Sequence, residues 1–238
     1  MADRPDANEE EMPLGAVAIV GMAGRFPGAK NIEEFWRNLC AGVDSVSRFE
    51  DSELEDSFDA ETRGAANFVK ARPILENVEL FDAQFFAMHT REAELTDPQH
   101  RLFLECSWEA LEDAGCDPAT YAGAIGVFAG SSPNTYFLHN VCGDRRTIEE
   151  FTSNYQVGCY PMLLGAGADF LATRVSYKLD LKGPSLTLQA ACSTSLLAVA
   201  KACQSLLLYE SDMALAGGVS ITFPQKRGYQ HLEGGMVS

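Results

Sequence analysis

Hydrophobic positions change their period several times along the chain, and each change marks an element. Ala16-Val17-Ala18-Ile19-Val20 is an uninterrupted apolar run and predicts a short buried strand. Gly21 to Gly28, with Pro27, predicts a loop. Asn31 then caps a helix through Cys40 that Gly42 stops, with Phe35, Trp36 and Leu39 on the face to be buried. From Asp44 to Gly64 the pattern loses its period and turns acidic, with Phe49, Leu54 and Phe58 as isolated apolar points, so a long surface excursion is expected.

Asp97-Pro98 combines a capping carboxylate with proline at the first helical position, and Gly115 is a natural stop. Between them Leu104, Trp108 and Leu111 recur at helical spacing, while Glu105, Glu109 and Glu112 share another face. Ala124 to Ala129 predicts a buried strand ended by Gly130-Ser131-Ser132-Pro133, and a helix is expected near Tyr160 to Thr173. Gly183-Pro184 turns into the strand Ser185-Leu186-Thr187-Leu188, Ser193 to Tyr209 forms a helix, and Met213 to Ala216 makes a last strand running into Gly217-Gly218. Strands separated by helices predict an α/β fold with a mostly parallel, covered sheet. The chain divides into a flexible acidic leader over residues 1–13 and one folded domain over residues 14–238.

Charge narrows the functional classes. Of 238 residues, 18 are Lys or Arg and 34 are Asp or Glu, a formal charge of −16 that repels nucleic-acid backbones and anionic lipid alike. Neither nucleic acid nor membrane is an expected partner. The leader has Asp3, Asp6 and Glu9 to Glu11 but no apolar core of a secretory signal, and Lys201 and Gln204 interrupt the apolar stretch Leu196 to Leu208, so a cytoplasmic protein is expected. Seven cysteines (40, 106, 116, 142, 159, 192 and 203), with no C-x-x-C pair, predict reduced thiols and neither a disulfide framework nor a zinc or other metal site.

Cys192 stands apart from the other six. It follows the strand at Ser185 to Leu188 and opens the helix at Ser193, with Ala190, Ala191 and Ser193 leaving room around its sulfur. At a helix start the free amides and the macrodipole stabilise a thiolate, and the same amides can hold the oxyanion of an attacked thioester. Two readings stay open on these residues, an acyl-accepting nucleophile and a small cysteine packed under a helix. Cys106 and Cys203 fall inside helices and read as structural. His100, His139 and His231 are each conceivable bases for Cys192, but none has a carboxylate at a telling spacing, and His89 is no better. Gly21-Met22-Ala23-Gly24 and Lys30 match neither a dinucleotide fingerprint nor a phosphate loop, and Pro27 interrupts both, so a structural glycine turn and no bound cofactor are expected.

Taken in order, three segments resemble the β-ketoacyl synthase domains of modular type I polyketide synthases: Ile19 to Gly28, Asp97-Pro98-Gln99-His100-Arg101, and Ala191-Cys192-Ser193-Thr194-Ser195. Gly183-Pro184-Ser185 and Ala216-Gly217-Gly218-Val219 are similar as well, so the resemblance runs from Ala16 to Ser238. It implies the N-terminal half of a thiolase-like fold, two similar α/β halves about a pseudo-twofold axis, in a homodimer. It also implies that Cys192 takes an acyl chain from the phosphopantetheine thioester of an acyl carrier protein for decarboxylative condensation with a malonyl-type extender.

Gln189-Ala190 stands where many members carry Asp-Thr, and Gly165 to Asp169 where relatives often show Gly-Asn-Asp-Lys-Asp. The family's two catalytic histidines, its lysine and its second oxyanion loop belong to sequence beyond the part matched, and His231 stands in neither histidine motif. The chain by itself is therefore expected not to complete condensation. Two other readings remain: a non-catalytic ketosynthase fragment serving dimerisation or carrier-protein docking, and a cysteine hydrolase using His231.

Overall fold

The computed structural model describes residues 15–55, 58–154 and 157–236, so the leader predicted for residues 1–13 lies outside the described residues. The elements run α1 (Ile32–Ala41), β1 (Ser47–Arg48), α2 (Ala60–Gly64), β2 (Phe68–Val69), β3 (Ala71–Arg72), α3 (Thr90–Leu95), α4 (Pro98–Asp113) and β4 (Ile125–Ser131). They continue with α5 (Arg145–Asn154), α6 (Tyr160–Ala166), α7 (Phe170–Lys178), β5 (Ser185–Thr187), α8 (Thr194–Leu207), β6 (Met213–Val219) and β7 (Tyr229–Gln230).

The main sheet has the order β5-β4-β6, with both neighbours parallel to the central strand. Parallel strands of one sheet need crossovers long enough to hold a helix, and α8 between β5 and β6, on either side of β4, supplies one. Side chains alternate across β4. Ile125, Val127 and Ala129 face a core shared with Leu104, Leu111, Leu171, Ala172 and Val175 of α4 and α7, whereas Phe128 faces Ala198 and Ala202 of α8. Helices therefore cover both faces, and all seven residues of β4 are buried. Each fully buried leucine here contributes roughly 1.5–3 kcal/mol. Two antiparallel pairs, β1 with β3 and β2 with β7, lie outside this sheet.

Helix α4 starts as its sequence dictates: the Asp97 carboxylate accepts the Gln99 N–H at 2.9 Å, Pro98 occupies the first turn, and Gly115 follows the end at φ 64°. Helix α1 is likewise capped by Asn31, whose side chain accepts the Glu34 N–H at 2.9 Å, and is stopped by left-handed Gly42.

Four expectations need correction. Residues 16–20 form no strand; they lie without a ladder partner among the described residues, and Ile19 is 80% exposed. An apolar run signals burial, but a strand also needs a neighbour for its N–H and C=O groups. On α1, Phe35 is only half-buried, stacking on Phe26 at 4.0 Å, while Trp36 and Leu39 are exposed, because nothing described packs over them. The helix expected from Tyr160 to Thr173 is two: Gly167 adopts an extended conformation at the end of α6, and α7 begins at Phe170. The excursion from Asp44 to Gly64 contains β1 and α2, and Phe49 within it is buried. Among the described residues no helix is long and apolar enough to cross a membrane.

Candidate active site

Cys192 is placed by a turn that leaves the sheet beside the end of β4. Past β5, the Leu188 N–H still donates to the Ala129 carbonyl at 2.7 Å, and Gln189 Nε2 donates to the Ser131 carbonyl at 3.1 Å. The backbone then reverses at Ala191, whose φ of 47° is left-handed and costs a non-glycine residue of order 1–2 kcal/mol. Local bonds hold it there. The Ala190 N–H donates to Thr194 Oγ1 at 2.8 Å, while the Ala190 carbonyl accepts from Ser193 Oγ at 2.9 Å and from the Ser193 N–H at 3.1 Å.

Residues Ala191–Ser193 form a single 3-10 turn that runs into α8, and Cys192 sits in it with its side chain exposed. This is the geometry of a nucleophile elbow, a strained strand-to-helix turn that presents one side chain. The first turn of α8 carries no acidic residue. Close approach of this helix to the sheet depends on glycine: a Cβ on Gly130 would lie 2.1 Å from Thr194 Cγ2 and 2.5 Å from the Leu188 carbonyl oxygen.

A second tier of polar contacts fastens the strand ends beneath the elbow. Gln99, fully buried, accepts through Oε1 from Ser132 Oγ at 2.7 Å, the Ser132 N–H at 3.2 Å and the Ile221 N–H at 3.2 Å. Its Nε2 donates to the Asp97 carboxylate at 3.0 Å. One side chain thus ties the start of α4 to the segments leaving β4 and β6. The sequence block Asp97 to Arg101 was legible as a helix start and as part of a resemblance, but nothing in it announced that Gln99 would join three elements.

The histidines separate by location. His100 is sealed inside α4, and burial, helped by the charge of Arg174, pushes its imidazole down to about 3 from 6.5. His139 lies in the π-helical turn Phe137–Val141 and is exposed. His231 follows β7, its N–H donating to the Asn67 carbonyl at 2.8 Å. His89 precedes α3. Among the other cysteines, Cys106 is half-buried inside α4, where burial pushes its thiol up to about 11, and Cys203 lies within α8. The loop at Gly21 to Gly28 is a structural turn, with Phe26 and Ala29 exchanging both backbone hydrogen bonds at 2.8 and 2.9 Å. No cluster of metal-ligating side chains occurs among the described residues.

The sequence profile of the β-ketoacyl synthase N-terminal domain matches residues 15–238. The chain belongs to the β-ketoacyl synthase family. It is 46% identical over 228 residues to a phenolphthiocerol/phthiocerol polyketide synthase polypeptide of Mycobacterium tuberculosis, covering 95% of this chain and 15% of that protein. Among solved structures it is similar to ketosynthase twelve of the bacillaene polyketide synthase of Bacillus amyloliquefaciens, at TM-score 0.79 and 35% identity, covering 91% of this chain and 37% of the other. The ketosynthase of module 1 of the bacillaene synthase from the same species matches at TM-score 0.73 and 31% identity, covering 92% and 36%.

The fold is therefore the thiolase-like α/β fold of ketosynthases, of which this chain spans little more than a third. The Gln189 side chain bonds the exit of β5 to the exit of β4 just before the Cys192 turn.

Proposed function

We propose that this chain is the cysteine-bearing part of a ketosynthase, in which Cys192 Sγ accepts an acyl group from the phosphopantetheine thioester of an acyl carrier protein. The observation that carries the reading is the exposed Cys192 on a left-handed strand-to-helix turn at the head of α8. In the transfer the thiolate attacks the thioester carbonyl carbon, and the tetrahedral oxyanion is held by the Cys192 N–H at the helix start. Collapse breaks the carbon–sulfur bond to pantetheine, and the departing thiolate takes a proton from solvent.

Condensation then requires groups that bind a malonyl-type extender and stabilise its enolate as carbon dioxide leaves. In this reading those groups come from the rest of a ketosynthase polypeptide, so the chain alone loads acyl groups without condensing them. A homodimer belongs to the same reading, and the outer edge of β5, with Leu186 exposed, is the surface that supports it.

The test is acyl transfer from an acyl-pantetheine thioester, mapped by mass spectrometry. One acyl group on Cys192, none on Cys106 and none in Cys192→Ala is expected. Equal modification of Cys106 and Cys192 would sink the nucleophile and favour a docking or dimerisation fragment, a reading that the exposed Leu196 and Leu208 on and beside α8 support. Release of free acid would instead indicate hydrolysis.

A further inference from the structure

Gly130 of β4 and Gly218 of β6 stand side by side in the parallel register. The start of α8 rests on this bare patch: a Cβ on Gly130 would lie 2.1 Å from Thr194 Cγ2, and one on Gly218 would lie 3.1 Å from Ser195 Cβ. Thr194 is buried there, whereas Cys192 two residues earlier is exposed. The two branches of the threonine side chain have different partners. Its methyl fills the space over Gly130, and its hydroxyl accepts the Ala190 N–H at 2.8 Å. That bond closes residues 190–194 into a ring with Cys192 at the centre.

The other side-chain bond in the turn is replaceable. Ser193 Oγ donates to the Ala190 carbonyl at 2.9 Å, but Ser193 is exposed, and its own N–H reaches the same carbonyl at 3.1 Å. Water and backbone can satisfy that carbonyl without the hydroxyl. The Ala190 N–H has no second acceptor among the described residues. Ala191 pays a steric cost for its left-handed φ of 47°, so a turn that loses this bond relaxes toward other conformations.

Relaxation bears on one group above all. When the Cys192 thiolate bonds to the thioester carbon, negative charge moves onto the carbonyl oxygen until the bond to pantetheine breaks. A donor lowers that barrier only if it is already aimed at the oxygen. The Ala191–Cys192 peptide, which carries the Cys192 N–H, lies inside the ring. Alkylation of the same sulfur forms no oxyanion and needs only an exposed thiolate.

We infer that Thr194 is a positioning residue for acyl transfer: its hydroxyl latches the turn so that the Cys192 N–H faces the oxyanion, and its methyl seats α8 on the sheet. Thr194 acts through Cys192, so this role rests on the acyl-accepting reading of that cysteine.

Thr194→Val keeps the shape and removes the acceptor, while Thr194→Ser keeps the acceptor and removes the methyl. Loading of Cys192 from S-acetyl pantetheine is followed by mass spectrometry over a range of thioester concentrations. In Thr194→Val the maximal rate is expected to fall at least tenfold, the equivalent of about 1.4 kcal/mol and the size of one hydrogen bond lost from a half-buried donor. The half-saturating concentration should stay within twofold. Thr194→Ser and Ser193→Ala should load within threefold of the parent, and alkylation of Cys192 by iodoacetamide should stay within threefold in every variant.

A Thr194→Val chain that loads like the parent overturns the inference. So does a Thr194→Ser chain as slow as Thr194→Val, which would assign the effect to the methyl. Alkylation that falls as far as loading overturns it too, because the sulfur and not the amide would then be at fault. If Thr194→Val loses its circular dichroism, Thr194→Ala replaces it against Thr194→Ser, both lacking the methyl, and the same tenfold gap is required. A parent chain that never loads Cys192 overturns the acyl-accepting reading and this role with it; a parent that loads beside indifferent variants overturns this role alone.

Discussion

Helices α4 and α1 start equally well and end up in opposite surroundings. Both have a capping side chain that accepts a first-turn N–H at 2.9 Å, and both are followed by a left-handed glycine. Yet Leu104 and Leu111 of α4 are 0% and 1% exposed, whereas α1 has no buried residue and Trp36 is 65% exposed. Caps and periodicity make a helix; only neighbours bury it. Helix α4 packs against α7 and the sheet, whereas α1 has no such neighbour among the described residues.

Truncating one large side chain in each helix puts this contrast under the greatest strain. Leu104→Ala is expected to cost about 3 kcal/mol of unfolding free energy, because it opens a cavity in a filled core, while Trp36→Ala should stay within about 0.5 kcal/mol. Equal losses in chemical denaturation would mean that α1 is covered in solution.

A somewhat smaller effect probes the buried side of α4 through pH. The unfolded chain protonates its His100 imidazole below about pH 6.5, whereas burial keeps the folded one neutral down to about 3. This contribution is therefore fully present above pH 6.5 and is lost as pH falls, by ~1.4 kcal/mol per unit, or about 2 kcal/mol by pH 5. Burial raises Asp97 and Glu105, which act with the opposite sign as pH falls and are unchanged by substitution of His100. The readout is accordingly the slope of stability between pH 6.5 and 5, which should flatten in His100→Gln. An unchanged slope would show that His100 is reached by water.

The smallest effect belongs to the open side. Asn31→Ala removes the α1 cap and is expected to cost about 1 kcal/mol. If α1 opens locally, the loss appears as faster amide exchange within α1 and leaves the global transition in place. A matching shift of the global transition would show that α1 unfolds with the core.

The elbow was legible in sequence because its signals are local. A hydroxyl-aliphatic strand, a run of small residues and a helix start fix where Cys192 falls along the chain, and the structure places it there. Gln189 and Gln99 were illegible as supports, because their partners Ser131, Ser132 and Ile221 lie tens of residues away and are brought close only by the parallel sheet. Gly130 gave no sign in sequence that its missing side chain makes room for Thr194.

What the amino-acid order settled unaided are the elements whose cause lies within a few residues: the caps of α1 and α4, the position of Cys192 and the alternation of helix with strand. Even its apolar run at residues 16–20 specified a wish for burial without specifying a neighbour. Three-dimensional packing decided which apolar faces are covered and which polar side chains fasten the elbow. Burial and strand pairing are relations between distant segments, and no window of sequence contains both partners.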